Sequence, residues 1–423
     1  MLGINYTKKE KDWVLYDVGN SALFMLITAF VPMYFNSLLK GNTGDEIVVI
    51  WANAQTITSL VVAVLMPILG SFADYPNKKI KLFNLFFLIG LIGCFILSVP
   101  MGPTPFIIIY VLMCIGLNAS LTFYDAMLVD VTDENRMDQV SSSGYAWGYI
   151  GSVVPFVISL VIYSFPQMFG LSKNIGERLP FIITGIWWLV FTLPLIRNYR
   201  QIHFKPVEEI SVASTFKGLG KTMKAIKADR RIFLYVMAYF FYIDGVHTVI
   251  SMSATYGISL HIPEEQMLIA FLVTQFVAFP SAIAYGRLAK KFGTLKMIRV
   301  AVAAYGGLVI FAAFFLRTSF EFYVLAIVVG LFQGGVQALS RSYFGKIIPK
   351  QRSNEYYGFF DIFGRAASIM GTLVVSAVTF LTSDPDYGVL SIGLLLIAGY
   401  LLLIQVQKED NKLAAEKQTA EQV

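Results

Sequence analysis

Charge is scarce in this chain. Only 14% of its 423 residues are Asp, Glu, Lys or Arg, against about 25% in ordinary soluble domains, too few to cover a water-facing surface. Histidines number three and cysteines two. His203 and His261 fall in loops, and with no H-E-x-x-H or other His-rich cluster a metallohydrolase and a metal site are both set aside. Cys94 and Cys114 lie inside apolar segments, where a thiol serves as small apolar filler rather than as half of a disulfide framework. There is no nucleotide-binding P-loop, no cofactor motif and no soluble catalytic domain, so no cofactor is expected and an intramembrane enzyme is set aside.

What is present is oil. Hydrophobic residues make up 56% of the chain and the mean hydropathy is +0.65, with apolar runs longer than the roughly 20 residues that cross a bilayer as a helix. A membrane barrel would show alternating segments of about ten residues instead. The runs number twelve, at 13–39, 46–70, 80–100, 104–130, 141–165, 179–197, 231–258, 265–289, 295–316, 320–345, 355–382 and 386–407. With both termini placed in the cytoplasm, Lys40, Lys173, Arg178 and Arg317 are the only basic residues outside, the asymmetry that sets orientation. The net charge of +6 has its explanation there, and no nucleic-acid partner is expected. Three lysines precede Trp13, but the segment after them is too long for a signal-peptide core and contains Asp17. It is expected to stay as the first span.

The longest connection, Asn198 to Arg230, divides the spans six and six. Within it Phe216, Leu219, Met223 and Ile226 recur at helical spacing among Lys217, Lys221, Lys224 and Lys227, which predicts an amphipathic helix on the inner leaflet; a solvated basic linker is the alternative. The tail from Lys408 is polar and expected to be disordered. The expected domains are thus 1–197, a linker at 198–230, 231–407 and a tail at 408–423. The halves echo each other at an offset near 213 residues: Pro67, Gly70 and Lys78-Lys79 match Pro280, Gly286 and Lys290-Lys291, and Tyr110-Val111-Leu112 matches Tyr323-Val324-Leu325. Gly144 and Gly148 likewise face Gly358 and Gly364. Such echoes point to internal duplication. The fold class expected is an all-α polytopic membrane protein of two pseudo-symmetric six-helix bundles.

The loop after the second span, Gly70-Ser71-Phe72-Ala73-Asp74-Tyr75-Pro76-Asn77-Lys78-Lys79, resembles the G-x-x-x-D-R-x-G-R-R loop of the major facilitator superfamily. Tyr75 stands where a basic residue is usual and Asn77 where Gly is usual, and the second-half copy around Gly286 has lost the acid. The resemblance implies that Asp74 braces the N-terminal end of the eleventh helix, where a carboxylate meets the positive end of the helix dipole; a bare turn with two positive-inside lysines is the alternative. A closer resemblance lies in Trp13, Tyr16, Asp17, Gly19, Asn20 and Ser21, in Tyr242, Asp244, Gly245 and Thr248, in Gly144 to Gly151, and in Gly334 to Phe344. These are similar to the vacuole-effluxer branch of that superfamily, which implies an amino-acid carrier whose first, fourth, seventh and tenth spans line a central cavity.

Read from the residues alone, polar positions form stripes on those four spans: Asp17 with Asn20, Asn118 with Thr122 and Asp125, Asp244 with His247 or Thr248, and Gln333 with Gln337 and Arg341. Asp17, Asn20, Asn118, Thr122, Asp244, His247, Gln333 and Gln337 are the candidates for holding substrate or a proton. Interhelical hydrogen bonding is the competing reading of each. Asp244, near mid-membrane with His247 one turn away, is the candidate proton-coupling or substrate-amine site, against a structural Asp satisfied by its neighbours. Candidate gate residues are Asp74, Asp125, Arg341, Asp361 and Arg365. Asp17 or Asp125 is expected to pair with Arg341 or Arg365, with a local Asp361–Arg365 pair competing.

The function expected is secondary active transport of a small polar or zwitterionic solute by alternating access, with protons as the candidate coupling ion. A carrier of amphipathic drugs or lipids and a non-transporting sensor or scaffold are the alternatives. Expected partners are the small-molecule substrate and membrane lipids. The expected form is a monomer in the plasma membrane with both termini cytoplasmic.

Overall fold

The computed structural model describes residues 5–39, 44–206, 212–260 and 262–421, and among them every regular element is helical. Among the described residues, eleven helices are long and apolar enough to cross a membrane by length and composition. The eleventh span, Ser353–Thr382, is one helix.

Local chemistry sets several boundaries. The first span starts at a capping box, in which Glu10 N donates to Thr7 Oγ1 at 3.3 Å and Thr7 N donates to Glu10 Oε2 at 2.7 Å, satisfying two otherwise orphaned donors. It passes through a π turn at Leu26–Phe30 just before Pro32, whose ring would crowd the carbonyl four residues back in a regular helix. Pro67, Pro155, Pro194 and Pro280 sit inside helices, as bundle interiors allow.

The chain forms two compact units. One comprises Met1–Asp133, Trp147–Ser211 and Lys350–Gly358; the other comprises Glu134–Ala146, Val212–Pro349 and Phe359–Val423. These bounds differ from a cut at the linker alone, because the first turns of the fifth span, Glu134–Ser164, and of the eleventh group apart from the rest of their helices.

In the first unit the Trp13-x-x-Tyr16 pair of the first span fastens to the fourth span, Pro103–Val131. The Trp13 ring stacks on Tyr124 at 4.4 Å, its Nε1 donates to Tyr124 O at 3.0 Å, and the Tyr16 and Ser120 hydroxyls lie 2.8 Å apart. Gly19 lets the sixth span, Lys173–Asn198, approach, and a Cβ there would meet Trp188 O and Phe191 Cβ at 3.2 Å. Trp187 Nε1 donates to Val18 O at 3.1 Å, and Trp188 is fully buried.

In the second unit Tyr235 and Tyr242 of the seventh span, Arg230–Ser259, are buried against Ser340 of the tenth span, Ser319–Ile347. Tyr235 OH donates to Ser340 O at 2.9 Å and the Tyr242 and Ser340 hydroxyls lie 2.6 Å apart. The linker contains a helix, Val212–Ala228, with Ile226 buried and Lys221, Lys224 and Lys227 exposed; the side chains of Phe216, Lys217 and Leu219 lie outside those described. The tail from Lys408 is a correction to the expectation of disorder, since the twelfth span runs from Pro385 to Glu421 as one helix. Its polar end is tied down: Glu409 meets Arg230 at 3.1 Å, and Asp410 meets Arg231 at 3.4 Å and the Tyr343 hydroxyl at 2.8 Å.

Candidate functional site

Asp244 is fully buried in mid-span. Its Oδ1 accepts from Gly371 N at 2.9 Å and from Thr248 Oγ1 at 3.3 Å, while Oδ2 has no hydrogen-bond partner. The neighbour that holds the carboxylate is therefore Thr248, four residues on, and a backbone amide of the eleventh span. His247 is half-buried one position earlier. Glycine is required at 371, where a Cβ would lie 3.0 Å from Asp244 Cγ and closer still to Oδ1 and Thr248 Oγ1.

The other stripe residues are placed as follows. Asn20 Nδ2 donates to Asp17 Oδ1 at 3.3 Å, and both are buried. Asn118 and Thr122 also turn back on their own helix, Asn118 Nδ2 donating to Cys114 O at 2.7 Å and Thr122 Oγ1 to Asn118 O at 3.2 Å. Asp125 and Asp361 are half-buried. Gln333 and Arg341 are buried and Gln337 is half-buried. Arg341 donates through Nε to Ser141 Oγ at 2.9 Å and through Nη2 to Ser141 O at 3.0 Å, with its guanidinium over the Tyr145 ring at 4.5 Å. The side chain of Arg365 lies outside those described.

A second constellation closes the end of the first unit that carries the N-terminus, here termed the proximal end. Asp74 is buried in the turn after the second span, and its carboxylate receives Asn354 N at 2.9 Å, Asn354 Nδ2 at 2.7 Å and Glu355 N at 3.1 Å. Those amides are orphan donors at the start of the eleventh helix, so Asp74 caps that helix from another element. Burial pushes the Asp74 carboxyl up to about 6, outweighing the Lys205 and Lys79 ammonium groups and the amide donors. Asn77, in the position where the superfamily loop has Gly, adopts φ 58°, a left-handed backbone that Asn tolerates better than most residues.

Sequence reasoning missed the partners of this constellation. Lys79 Nζ lies 2.7 Å from Asp130 Oδ2, with both side chains fully buried, and also donates to Ser353 Oγ at 3.1 Å. Asp130 further accepts from Tyr199 OH at 2.5 Å and from Ile202 N and His203 N at 3.1 and 2.8 Å. Burial and the Asp130 charge push the Tyr199 phenol well above its ordinary value, so it stays a donor. Lys205 Nζ reaches Glu355 Oε2 at 2.6 Å and Asp74 Oδ2 at 3.7 Å.

The second unit builds a related cluster without an acid in its own loop. Asp138, near the start of the fifth span, accepts from Ser342 Oγ at 2.6 Å, Lys346 Nζ at 2.6 Å and Thr294 Oγ1 at 2.8 Å. Gly286 packs against that turn, where a Cβ would meet Ser142 Cβ at 2.9 Å.

A helical membrane bundle whose second-span turn caps a later helix has the architecture of a major facilitator superfamily transporter, and solved structures share the fold. A bacterial homologue of the iron transporter ferroportin, in an outward-facing state, superposes with a TM-score of 0.70 at 13% identity over 94% of this chain and 99% of that one. The major facilitator superfamily transporter FucP, in an outward conformation, gives 0.67 at 15% identity over 94% and 97%. Residues 129–416 match the family described as vacuole effluxer Atg22 like. The MFS-type transporter YxiO of Bacillus subtilis (strain 168) is 39% identical over 98% of both chains. Autophagy-related protein 22 of Botryotinia fuckeliana is 25% identical over 66% of this chain, which spans only 52% of that protein. The chain belongs to the vacuole effluxer Atg22-like family of MFS-type transporters.

Proposed function

We propose that this transporter moves a small polar or zwitterionic solute of the amino-acid class by alternating access, with protons as the coupling ion. The observation that carries the reading is Asp244, fully buried with one carboxylate oxygen held and the other without a partner. A carboxylate in such a place needs a proton or a cationic group on its free oxygen, because leaving a buried charge uncompensated costs several kcal/mol by the usual rules. Either occupant is a ligand that a carrier loads and releases. The remaining polar residues of the stripes, Asp17, Asn20, Asn118, Thr122, His247, Gln333 and Gln337, are the proposed substrate contacts, and Asp74, Asp125, Arg341, Asp361 and Arg365 the proposed gate. The family's description as vacuole effluxers supports a solute carrier. A monomer in the plasma membrane, with both termini cytoplasmic, completes the proposal.

The test is flux of labelled amino acids into proteoliposomes under an imposed pH gradient, comparing the wild type with Asp244→Asn. The variant is expected to lose gradient-driven accumulation. Unchanged rate and unchanged pH dependence would refute the role of Asp244. Charge reversal at Asp125 together with Arg341 should restore whatever either single reversal removes.

A further inference from the structure

From Tyr199 to Pro206 the chain has no regular secondary structure, so its backbone polar groups must find partners elsewhere. Several of them do so along one path. Tyr199 OH, Ile202 N and His203 N converge on Asp130 of the fourth span. Gln201 bridges two elements, donating from Nε2 to Ala73 O at 3.1 Å and accepting from Lys79 N at 3.4 Å. Lys205 N donates to Asp74 O at 2.8 Å. The segment is pinned at both ends and in the middle to the ends of the second, third and fourth spans.

Lys205 adds the tie to the eleventh span. Its ammonium sits between two carboxylates on different elements, Asp74 and Glu355, which repel each other without it. Arg352 also reaches Glu355, at 3.2 Å, from three residues away on the same stretch of chain. In the loop itself Tyr75 occupies the position where the superfamily pattern has a basic residue, and the cation beside Asp74 is supplied by Lys205 instead.

We propose that Tyr199–Lys205 is a strap that holds the proximal end of the first unit shut, and that this end opens only when the strap lets go. The segment begins the connection from the sixth span to the seventh, so a pull on that connection loads it directly. The proposal rests on the alternating-access reading but on no particular substrate.

The test uses the full chain in lipid nanodiscs with Ser71→Cys as a reporter. Ser71 is 5% exposed and its hydroxyl lies 3.4 Å from Lys205 Nζ, while the native Cys94 and Cys114 are buried. N-ethylmaleimide labelling is followed at all three thiols without substrate. Lys205→Met is expected to speed labelling of the introduced thiol by about tenfold, the scale on which losing one charge-assisted hydrogen bond shifts an opening equilibrium. Gln201→Ala should speed it as well, and Lys205→Arg should return it to within about twofold of the parent, because the cation is kept. Cys94 and Cys114 should stay protected throughout. Equal acceleration at all three thiols would mean general unfolding and would overturn the strap, as would an unchanged rate at the introduced thiol in both Lys205→Met and Gln201→Ala. If Lys205→Met fails to fold, Gln201→Ala decides alone. Labelling needs no solute, so a failure here leaves the assignment of Asp244 standing, and a failure of flux leaves the strap standing.

Discussion

Gly371→Ala changes one hydrogen for a methyl at the point where the eleventh span meets the seventh. The new Cβ would stand 3.0 Å from Asp244 Cγ and closer to Oδ1 and to Thr248 Oγ1, so the carboxylate must swing away and give up the 2.9 Å bond from Gly371 N. Losing a hydrogen bond to a charged group costs about 1.5–3 kcal/mol. Crowding a packed site costs about 1–3 kcal/mol more, offset by about 1 kcal/mol of helix propensity gained by Ala over Gly. The net is about 3 kcal/mol, a factor of roughly 100 in the folding equilibrium.

Unfolding of the purified carrier in detergent can be followed by a thiol-reactive dye, since Cys94 and Cys114 become reactive only when the bundle opens. The cost should shrink by about 1–2 kcal/mol when Gly371→Ala is introduced into Asp244→Ala, because two of the three conflicting atoms are gone and the sites are in contact. If Gly371→Ala unfolds with the wild type, or if its cost is the same with and without Asp244, the close approach at the carboxylate is not what this site is built on.

Three further outcomes are expected in the same unfolding assay. Lys79→Met leaves the buried Asp130 carboxylate without its cation and should cost about 3–5 kcal/mol, most of it recovered when Asp130→Asn is added; a double variant no better than the single one would refute this account. Asp74 has its carboxyl raised from 3.8 to about 6 by burial, so its contribution to stability is fully present below 3.8 and is lost as the pH rises to about 6, in total about 3 kcal/mol. Asp74→Asn should flatten that slope, and a parallel slope in the variant would assign it to other groups. Gly116→Ala puts a Cβ 2.7 Å from Gly90 Cα and from Phe86 O, so it should force the third and fourth spans apart at about 1–3 kcal/mol, whereas Gly306→Ala, which meets nothing within 4 Å, should cost nothing measurable.

The spans were legible because hydropathy is a property of consecutive residues. The cap at Asp74 was legible only through the resemblance of its loop to the superfamily pattern, which implies a carboxylate at the start of the eleventh helix. What stayed hidden is pairing. Lys79 and Asp130 lie 51 residues apart and Asp138 and Lys346 lie 208 apart, and no periodicity links such positions. Polar stripes have the opposite weakness. Asn118 and Thr122 fall on one face as a cavity lining would, yet each donates to a carbonyl four residues back, a bond that short polar side chains make in any helix. At Asp244 the stripe left His247 and Thr248 open, and the choice rests on which side chain lies under the approaching Gly371 backbone. Composition misled at the tail, where polarity suggested disorder but Arg230, Arg231 and Tyr343 hold Glu409 and Asp410.

The two charged clusters show what a duplicated scaffold keeps and what it lets go. In the first unit the third span supplies a cation, Lys79, the fourth an acid, Asp130, and the start of the eleventh a hydroxyl, Ser353. In the second unit the matching places are held by a hydroxyl, Thr294 of the ninth span, a cation, Lys346 of the tenth, and an acid, Asp138 of the fifth. At these three places each cluster has a cation, a carboxylate and a hydroxyl, but each role has moved to another helix. Burial penalises net charge and unsatisfied donors wherever they sit, and it is indifferent to which helix contributes which member.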